Sequence, residues 1–266
     1  MFNFVGYSEK LPKYSTTRYC VYCGTKNVVA STAMICTNCE AMSKSMHKTL
    51  ADANYENLLM SISKSNSNLD YEKSLQYYEQ LIQKTKDPML LYAEALTYIA
   101  YSNYEMSKVS YDRPGFMEEN SVHTNNALQL MSKAKLLLAK ASSDLEKEFD
   151  MNKTDINAYN LFIVRMKLGD VAAANAALDL LKEMKNEMLY NYAIMKFYNE
   201  RMKYDKVLEL AEKLIKGKWN PHLVLYYVAY ALLKKGKKKD ARKILLNIKG
   251  FVKTENLDYL EMAAKG

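Results

Sequence analysis

Glycine and proline are scarce in this chain, at eight and four of 266 residues. That excludes a loop-dominated or collagen-like architecture and leaves long stretches free to be helical. Cysteine is absent outside the interval Cys20–Cys39, so no disulfide framework of the secreted kind runs through the chain. The longest nearly apolar run, Leu223–Leu233, is too short to cross a bilayer. The first residues, Met1 to Phe4, lack the basic flank and apolar core of a secretory leader. The expectation is a soluble cytoplasmic protein with no membrane partner. Chemistry is also missing. There is no glycine-rich phosphate loop, no His-Glu-x-x-His and no cysteine–histidine nucleophile pair. The three histidines, His47, His123 and His222, are isolated in sequence and read as surface residues. Neither an enzyme nor a small-molecule substrate is expected.

What is present is uneven. The formal charge is +8, made of +3 in residues 1–45, −3 in residues 46–153 and +8 in residues 154–266. A basic excess at the two ends points to an anionic partner such as nucleic acid, or to solvated lysines on helix surfaces. Residues 1–17 are polar and carry Gly6 and Pro12, which predicts an extended lead-in.

Cys20-Val21-Tyr22-Cys23-Gly24 and Cys36-Thr37-Asn38-Cys39 form two Cys-x-x-Cys pairs. Each pair offers two thiolates from a tight knuckle to one tetrahedral Zn²⁺. Four thiolates close the site, so the metal is structural and carries no chemistry. Gly24 stands where a knuckle needs positive φ. Val28-Val29-Ala30 and Ala33-Met34-Ile35 predict a short hairpin between the knuckles. The stretch 18–41 resembles a zinc ribbon, with the module placed at residues 18–45. Zinc must supply much of its folding free energy, roughly 10–16 kcal/mol at comparable sites. A ribbon of this kind presents exposed residues to a partner, and Arg18, Tyr19, Tyr22 and Lys26 are the candidates. Tyr22 serves equally well as packing over the metal.

Beyond Glu40 the pattern turns helical. Ala51, Leu58, Leu59 and Ile62 make one apolar face, and Ser65–Asn68 a turn. Tyr71–Leu81 opens a second helix, and Asp87-Pro88 supplies an N-cap and first-turn proline, a device that Asn220-Pro221 repeats. Long helices are expected at Leu90–Val109 and Asn125–Phe149, broken by Asp112-Arg113-Pro114-Gly115 and an inserted loop near 112–122. The C-terminal half is periodic. Two helix pairs, Leu189–Met202 with Lys206–Lys216 and Pro221–Lys235 with Lys238–Ile248, lie end to end. Ala174, Val207 and Ala241 follow the breaks at steps of 33 and 34. A fixed period near 34 with two helices per unit predicts a solenoid of helical hairpins.

Tyr71, Ser74, Tyr78 and Pro88 sit where a tetratricopeptide repeat (TPR) has an aromatic, a small residue, a second aromatic and the proline that starts the next unit. Val171, Ala174 and Leu178, then Tyr204, Val207 and Ala211, then Lys238, Ala241 and Leu245 fill the corresponding places. The chain over about 46–250 therefore resembles a degenerate TPR array. The resemblance implies a mainly α, right-handed α-solenoid behind the ribbon. It comprises acidic hairpins at 46–153 and basic repeats at 154–266, with a capping helix at Leu257–Ala264.

In such arrays the first helix of each pair lines the inner face. Tyr159, Tyr192 and Tyr226 are in register there, and Ile163, Lys196 and Tyr230 lie one turn on. These tyrosines either line a groove for a peptide or partner helix or pack hairpin on hairpin. Asn160 and Asn191 do not recur in register, so a carboxylate clamp is not expected. Lys234, Lys235, Lys237, Lys238, Lys239, Arg242 and Lys243 form a basic turn that suits phosphate or plain solvation. The function expected first is an adaptor that binds a protein partner in the groove, with the zinc ribbon as a second contact. The alternative is an RNA-, ribosome- or DNA-associated factor using the ribbon and the basic turn. The two modules are expected to be independent, so that metal removal spares the helices.

Overall fold

The computed structural model describes residues 2–11, 17–28, 35–43, 53–109, 117–249, 251, 260 and 262–264. The chain is mainly helical. Its described elements are α1 (Phe4–Ser8), β1 (Thr17–Tyr19), β2 (Lys26–Val28), α2 (Ala53–Ser67), α3 (Tyr71–Thr85), α4 (Pro88–Ser107) and α5 (Met117–Met151). They continue with α6 (Asp155–Leu168), α7 (Val171–Glu183), α8 (Glu187–Glu200), α9 (Tyr204–Lys216), α10 (Pro221–Lys234) and α11 (Lys238–Ile248).

Helices begin where the sequence offers an acceptor for the first free N–H groups. Asp70, Asp87, Thr154, Asp170 and Asn186 cap α3, α4, α6, α7 and α8 through their side chains. Pro88 takes the first turn of α4 as expected. Pro221 repeats the first-turn proline on α10, but Asn220 adopts a left-handed conformation and its side chain does not cap the helix. Lys203 and Lys237, at the heads of α9 and α11, make no side-chain cap either.

The described part of the expected insertion, residues 117–122, is helix and forms the start of α5. No glycine or proline interrupts 117–151, so nothing in that stretch stops the helix. Along α5, Ala127, Ala134 and Ala141 recur every seven residues with Leu138 and Leu145 between and beyond them, and all are buried. Such a seam lets a long neighbour approach closely, and α4 packs along α5. Ser102 on α4 donates to the Ala127 carbonyl at 2.8 Å. The expected break at Asp112–Gly115 lies outside the described residues.

From α2 to α11 each helix packs on the next in sequence. In addition α6 touches α8 and α8 touches α10, so the first helices of successive pairs form one continuous layer. That layer is apolar nearly all round: Ala158 to Val164 on α6 and Leu223 to Ala229 on α10 are buried.

The amino-terminal segment is not an extended lead-in. Residues 4–8 are helical and pack on α10 and α11, with Phe4 buried and Asn247 donating to the Ser8 hydroxyl at 2.9 Å. Phe2, Phe4 and Tyr7 supply the aromatic surface that holds this segment down. At the other end Leu260 and Met262–Ala264 are helical with Leu260 and Ala264 buried; the remainder of the expected capping helix lies outside the described residues.

The expected hairpin between the knuckles lies, apart from Val28 and Ile35, outside the described residues. β1 and β2 pair antiparallel around the first knuckle, with Thr17 opposite Val28, Arg18 opposite Asn27 and Tyr19 opposite Lys26. The second knuckle is closed by a single bridge between Ile35 and Met42. Val29, Ala30, Ala33 and Met34 lie outside the described residues. The strands and the bridge flank the two cysteine pairs, where each knuckle folds the chain back on itself.

Candidate metal centre and inner face

The two knuckles are built alike. In the first, the Cys20 N–H donates to the Thr25 carbonyl, the Gly24 N–H to the Cys20 carbonyl and the Tyr22 N–H to Cys20 Sγ. In the second, the Cys36 N–H donates to the Ala41 carbonyl, the Glu40 N–H to the Cys36 carbonyl and the Asn38 N–H to Cys36 Sγ. Both turns need a left-handed residue at the same place, filled by Gly24 with φ 67° and Glu40 with φ 59°. Amide N–H groups aimed at sulfur favour thiolate, the ligating form.

All four sulfurs are buried and lie within 4.8 Å of one another. Cys20 and Cys39 Sγ are 3.7 Å apart, as are Cys23 and Cys36 Sγ. A tetrahedron with metal–sulfur bonds of about 2.3 Å has edges of about 3.8 Å, so the donor set fits one tetrahedral ion of the size of zinc. Burial pushes the Cys20 thiol up, and hydrogen bonding within the cluster pushes Cys39 up and pulls Cys23 down. In a dry site the first thiolate opposes the next until a divalent cation offsets the charge.

Asn27 ties the knuckles together. It is fully buried, accepts from the Thr37 N–H at 2.7 Å and hydroxyl at 2.8 Å, and donates to the Thr25 carbonyl at 2.8 Å and to Cys36 Sγ at 3.6 Å. Nothing in the sequence singles it out; a lone asparagine in a strand carries no periodic signal. Tyr22 is half-buried against the core, and burial raises its phenol pKa.

The metal module is not a separate body. Its cysteines, Ile35 and Ala41 belong to the same contiguous apolar core as the helices. Tyr55 on α2 donates to the Val21 carbonyl at 2.9 Å. The second knuckle lies against the inner layer. Tyr92 on α4 donates to the Cys39 carbonyl at 3.0 Å. On α6, Asn160 accepts from the Met42 N–H and donates to the Met42 carbonyl, both at 2.9 Å. Tyr227 on α10 donates to Glu40 Oε1 at 2.7 Å, and Lys196 on α8 pairs with Glu40 Oε2. Burial pulls the Lys196 ammonium below its usual value, with Glu200 and Cys39 opposing; Glu40, in direct contact, adds to that opposition.

These contacts change the reading of the groove. Tyr159 and Tyr192 are fully buried and Tyr226 nearly so. Their rings pack in a chain, Tyr159 to Tyr192 at 6.3 Å and Tyr192 to Trp219 at 4.6 Å, with Tyr227 at 6.0 Å from Tyr192. Tyr159 and Tyr192 join hairpin to hairpin and offer no open surface, because bulky rings in register across stacked pairs fill the space between them, whereas Tyr226 keeps an edge on the wall of a cavity. Lys196 faces the chain's own Glu40. Of the five groove residues Lys196 and Tyr230 are part-exposed, and both, with Tyr226, line that cavity; Tyr230 lies beside Tyr204 at 6.3 Å and beneath Lys234 at 5.4 Å.

A cavity of about 1700 Å³ remains between the metal module and the inner layer. Tyr19, Lys26 and Asn38 line it from one side and Tyr104, Lys167 and Tyr230 from the other. Lys26 and Tyr19 are opposite each other in the strand pair; the Arg18 side chain lies outside the described residues.

The basic turn is as exposed as expected at Lys234, Lys235, Lys237, Lys238, Lys239, Arg242 and Lys243. Its neighbour was missed. Arg201 sits over the Phe197 ring at 5.1 Å, and Lys203 and Lys206 sit over Tyr198 at 5.8 and 5.0 Å. An ion pair between Lys235 and Asp205 joins the two turns into one basic edge. Residues 201–206 are spread too thinly in sequence to read as a patch alone.

Of the two described histidines only His222 departs from the surface reading, since His123 keeps 30% of its side chain exposed. His222 is buried and stacks on Phe251 with ring centres 4.2 Å apart, and burial lowers its pKa to about 4. His123 Nδ1 lies 2.8 Å from the buried Glu105 carboxylate, which also holds Lys108. His47 lies outside the described residues. Among the described residues no helix is long and apolar enough to cross a membrane, and the four cysteines are the one group of three or more metal-ligating side chains brought together. No family model, no characterised protein and no solved structure matches this chain.

Proposed function

We propose that the protein is a non-enzymatic scaffold: a right-handed, TPR-like α-solenoid whose concave face carries a zinc ribbon, and whose remaining groove holds a partner polypeptide. The 33- and 34-residue steps and the contact of α6, α8 and α10 along one layer support the solenoid. The tetrahedral fit of Cys20, Cys23, Cys36 and Cys39 supports zinc. A reduced, intracellular setting such as the cytoplasm suits four unpaired thiols.

The observation that carries the binding role is the cavity of about 1700 Å³ walled by both modules. Small-molecule pockets run to about 1,000 Å³, so this one suits a length of polymer. Part-exposed tyrosines and scattered lysines along its walls suit a polypeptide of mixed character. The test is a photo-cross-linking amino acid placed at Tyr104 in the groove and, as a control, at Leu136 on the exposed side of α5. The expected result is one protease-sensitive, ribonuclease-resistant adduct from Tyr104 and none from Leu136. An adduct destroyed by ribonuclease overturns the polypeptide reading.

The basic edge favours a second reading, in which the protein sits on RNA, a ribosome or DNA. Exposed cations over aromatic rings on adjoining turns can follow a phosphate backbone, with binding that falls steeply with salt. Sedimentation of native lysate at low and high salt, with and without ribonuclease, separates the two readings.

A further inference from the structure

Residues 39–42 are held by the inner layer as a bound peptide would be. Cys39 is held by α4, Glu40 by α8 and α10 and Met42 by α6, so one short segment is gripped by the first helices of four successive pairs. Asn160 makes the paired N–H and carbonyl contact that an adjacent strand would make with Met42. Tyr92 binds a carbonyl. Neither contact reads a side chain, so both would serve another extended backbone equally well. One side chain is read. Lys196 and the Tyr227 hydroxyl take one oxygen each of the Glu40 carboxylate.

The two knuckles differ at the residue that matters. Gly24 fills the left-handed position of the first because a Cβ there would collide with the Leu59 carbonyl oxygen. The second knuckle needs the same backbone, and glycine would adopt it without strain. It carries Glu40 instead, in the conformation that β-carbons disfavour. The side chain is what the position gains.

We propose that residues 39–42 are an intramolecular ligand of the inner face, locked there by the metal, and that an acidic peptide able to present a carboxylate beside a free backbone edge takes their place when the metal leaves. This rests on the reading of the concave face as a polypeptide site and names the chemistry and control of its innermost part. Apart from the metal and the inner layer, the second knuckle is held by a single bridge, three turn hydrogen bonds and the two that Thr37 gives to Asn27. A segment that small keeps its turn only while the ion closes it. Linkage makes the effect reciprocal: whatever grips the knuckle tightens the metal, and whatever removes the metal frees Asn160, Lys196 and Tyr227.

The test uses the full chain and a fluorescein-labelled peptide covering Ile35–Ser43 with Cys36→Ser and Cys39→Ser. Fluorescence anisotropy compares zinc-loaded protein with protein stripped by a chelator. The stripped protein should bind the peptide at least tenfold more tightly. Glu40→Lys in the peptide, or Lys196→Ala in the protein, should abolish that binding. Reciprocally, Glu40→Gln in the zinc-loaded chain should weaken its hold on zinc at least tenfold in competition with a chromogenic chelator. This variant keeps the knuckle and its ligands, so it reports even if stripping disturbs the fold. Equal peptide binding with and without metal, no binding in either state, an unchanged zinc affinity in Glu40→Gln, or loss of the helical circular-dichroism signal on stripping would each overturn the proposal. None of these removes the Tyr104 cross-link in the zinc-loaded protein, so the wider groove reading fails or stands separately.

Discussion

Gly24 and Gly169 both have left-handed backbones, φ 67° and 82°, but only Gly24 is crowded, by the Leu59 carbonyl; nothing lies within 4 Å of the Cβ position at Gly169. Gly169→Ala should therefore cost about 1 kcal/mol, the conformational term alone. Gly24→Ala adds a steric clash with α2 and should cost about 2–4 kcal/mol. Urea denaturation of the two variants measures the difference. His222 gives a pH prediction. Its pKa is about 4 in the fold against about 6.5 unfolded, so the unfolded chain binds the proton first. The stability it contributes is complete above pH 6.5 and is lost as pH falls towards 4, by an amount on the order of 2–3 kcal/mol. His222→Phe should flatten that part of a plot of thermal midpoint against pH. The cluster of four cysteines that could hold a metal ion was plain in the sequence because four thiols at knuckle spacing have few other uses. The burial of His222 was not, since α10 is apolar on every side and gives no face from which to read exposure.

Among the helices, capping separates α7 from α9. Asp170 caps α7 by accepting from the Ala173 N–H at 2.9 Å, whereas Lys203 at the equivalent position of α9 caps nothing. Asp170→Ala should destabilise the chain by about 1 kcal/mol, and Lys203→Asp should stabilise it by about 0.5–1 kcal/mol, both read from chemical denaturation. On α5, Ala134→Leu should over-pack the fully buried seam and cost about 1–3 kcal/mol, lowering the thermal midpoint. Most helices were legible because period-3.6 apolar positions, acidic caps and Asp87-Pro88 agreed. The first turns of α5 were not, because the nearby Pro114 and Gly115 argued for a loop and the lack of breakers after them was the weaker signal. The strand pair around the first knuckle was not legible either, because Thr17–Tyr19 is too short to show an alternating pattern.

On the scale of the whole molecule, the amino-terminal residues form the inner packing of the helical array. Phe4 lies at the last hairpin, the second knuckle lies across α4 to α10, and Tyr55 of α2 holds the first knuckle. Sequence could not reveal this, since Asn160 and Met42 are 118 residues apart and Glu40 and Tyr227 are 187 apart. A period finds neighbours along the helix pairs and is silent about what packs on the layer of α6, α8 and α10. The register of Tyr159 and Tyr192 was legible, but not whether those positions open to solvent or close on a neighbour. Glu40→Ala should leave Lys196 buried without its partner and cost on the order of 2–3 kcal/mol, lowering the thermal midpoint of the helical signal although residue 40 lies in no helix.

Hydrogen–deuterium exchange, resolved by peptide, on zinc-loaded and chelator-treated protein tests this union most directly. If the knuckle packs into the array, chelation should speed exchange in α6 and α8 around Asn160 and Lys196 while α7 and α9 on the far side change little. Faster exchange confined to residues 17–43, with the inner helices untouched, would mean that the metal module and the array are independent bodies and that the knuckle is no part of the inner packing.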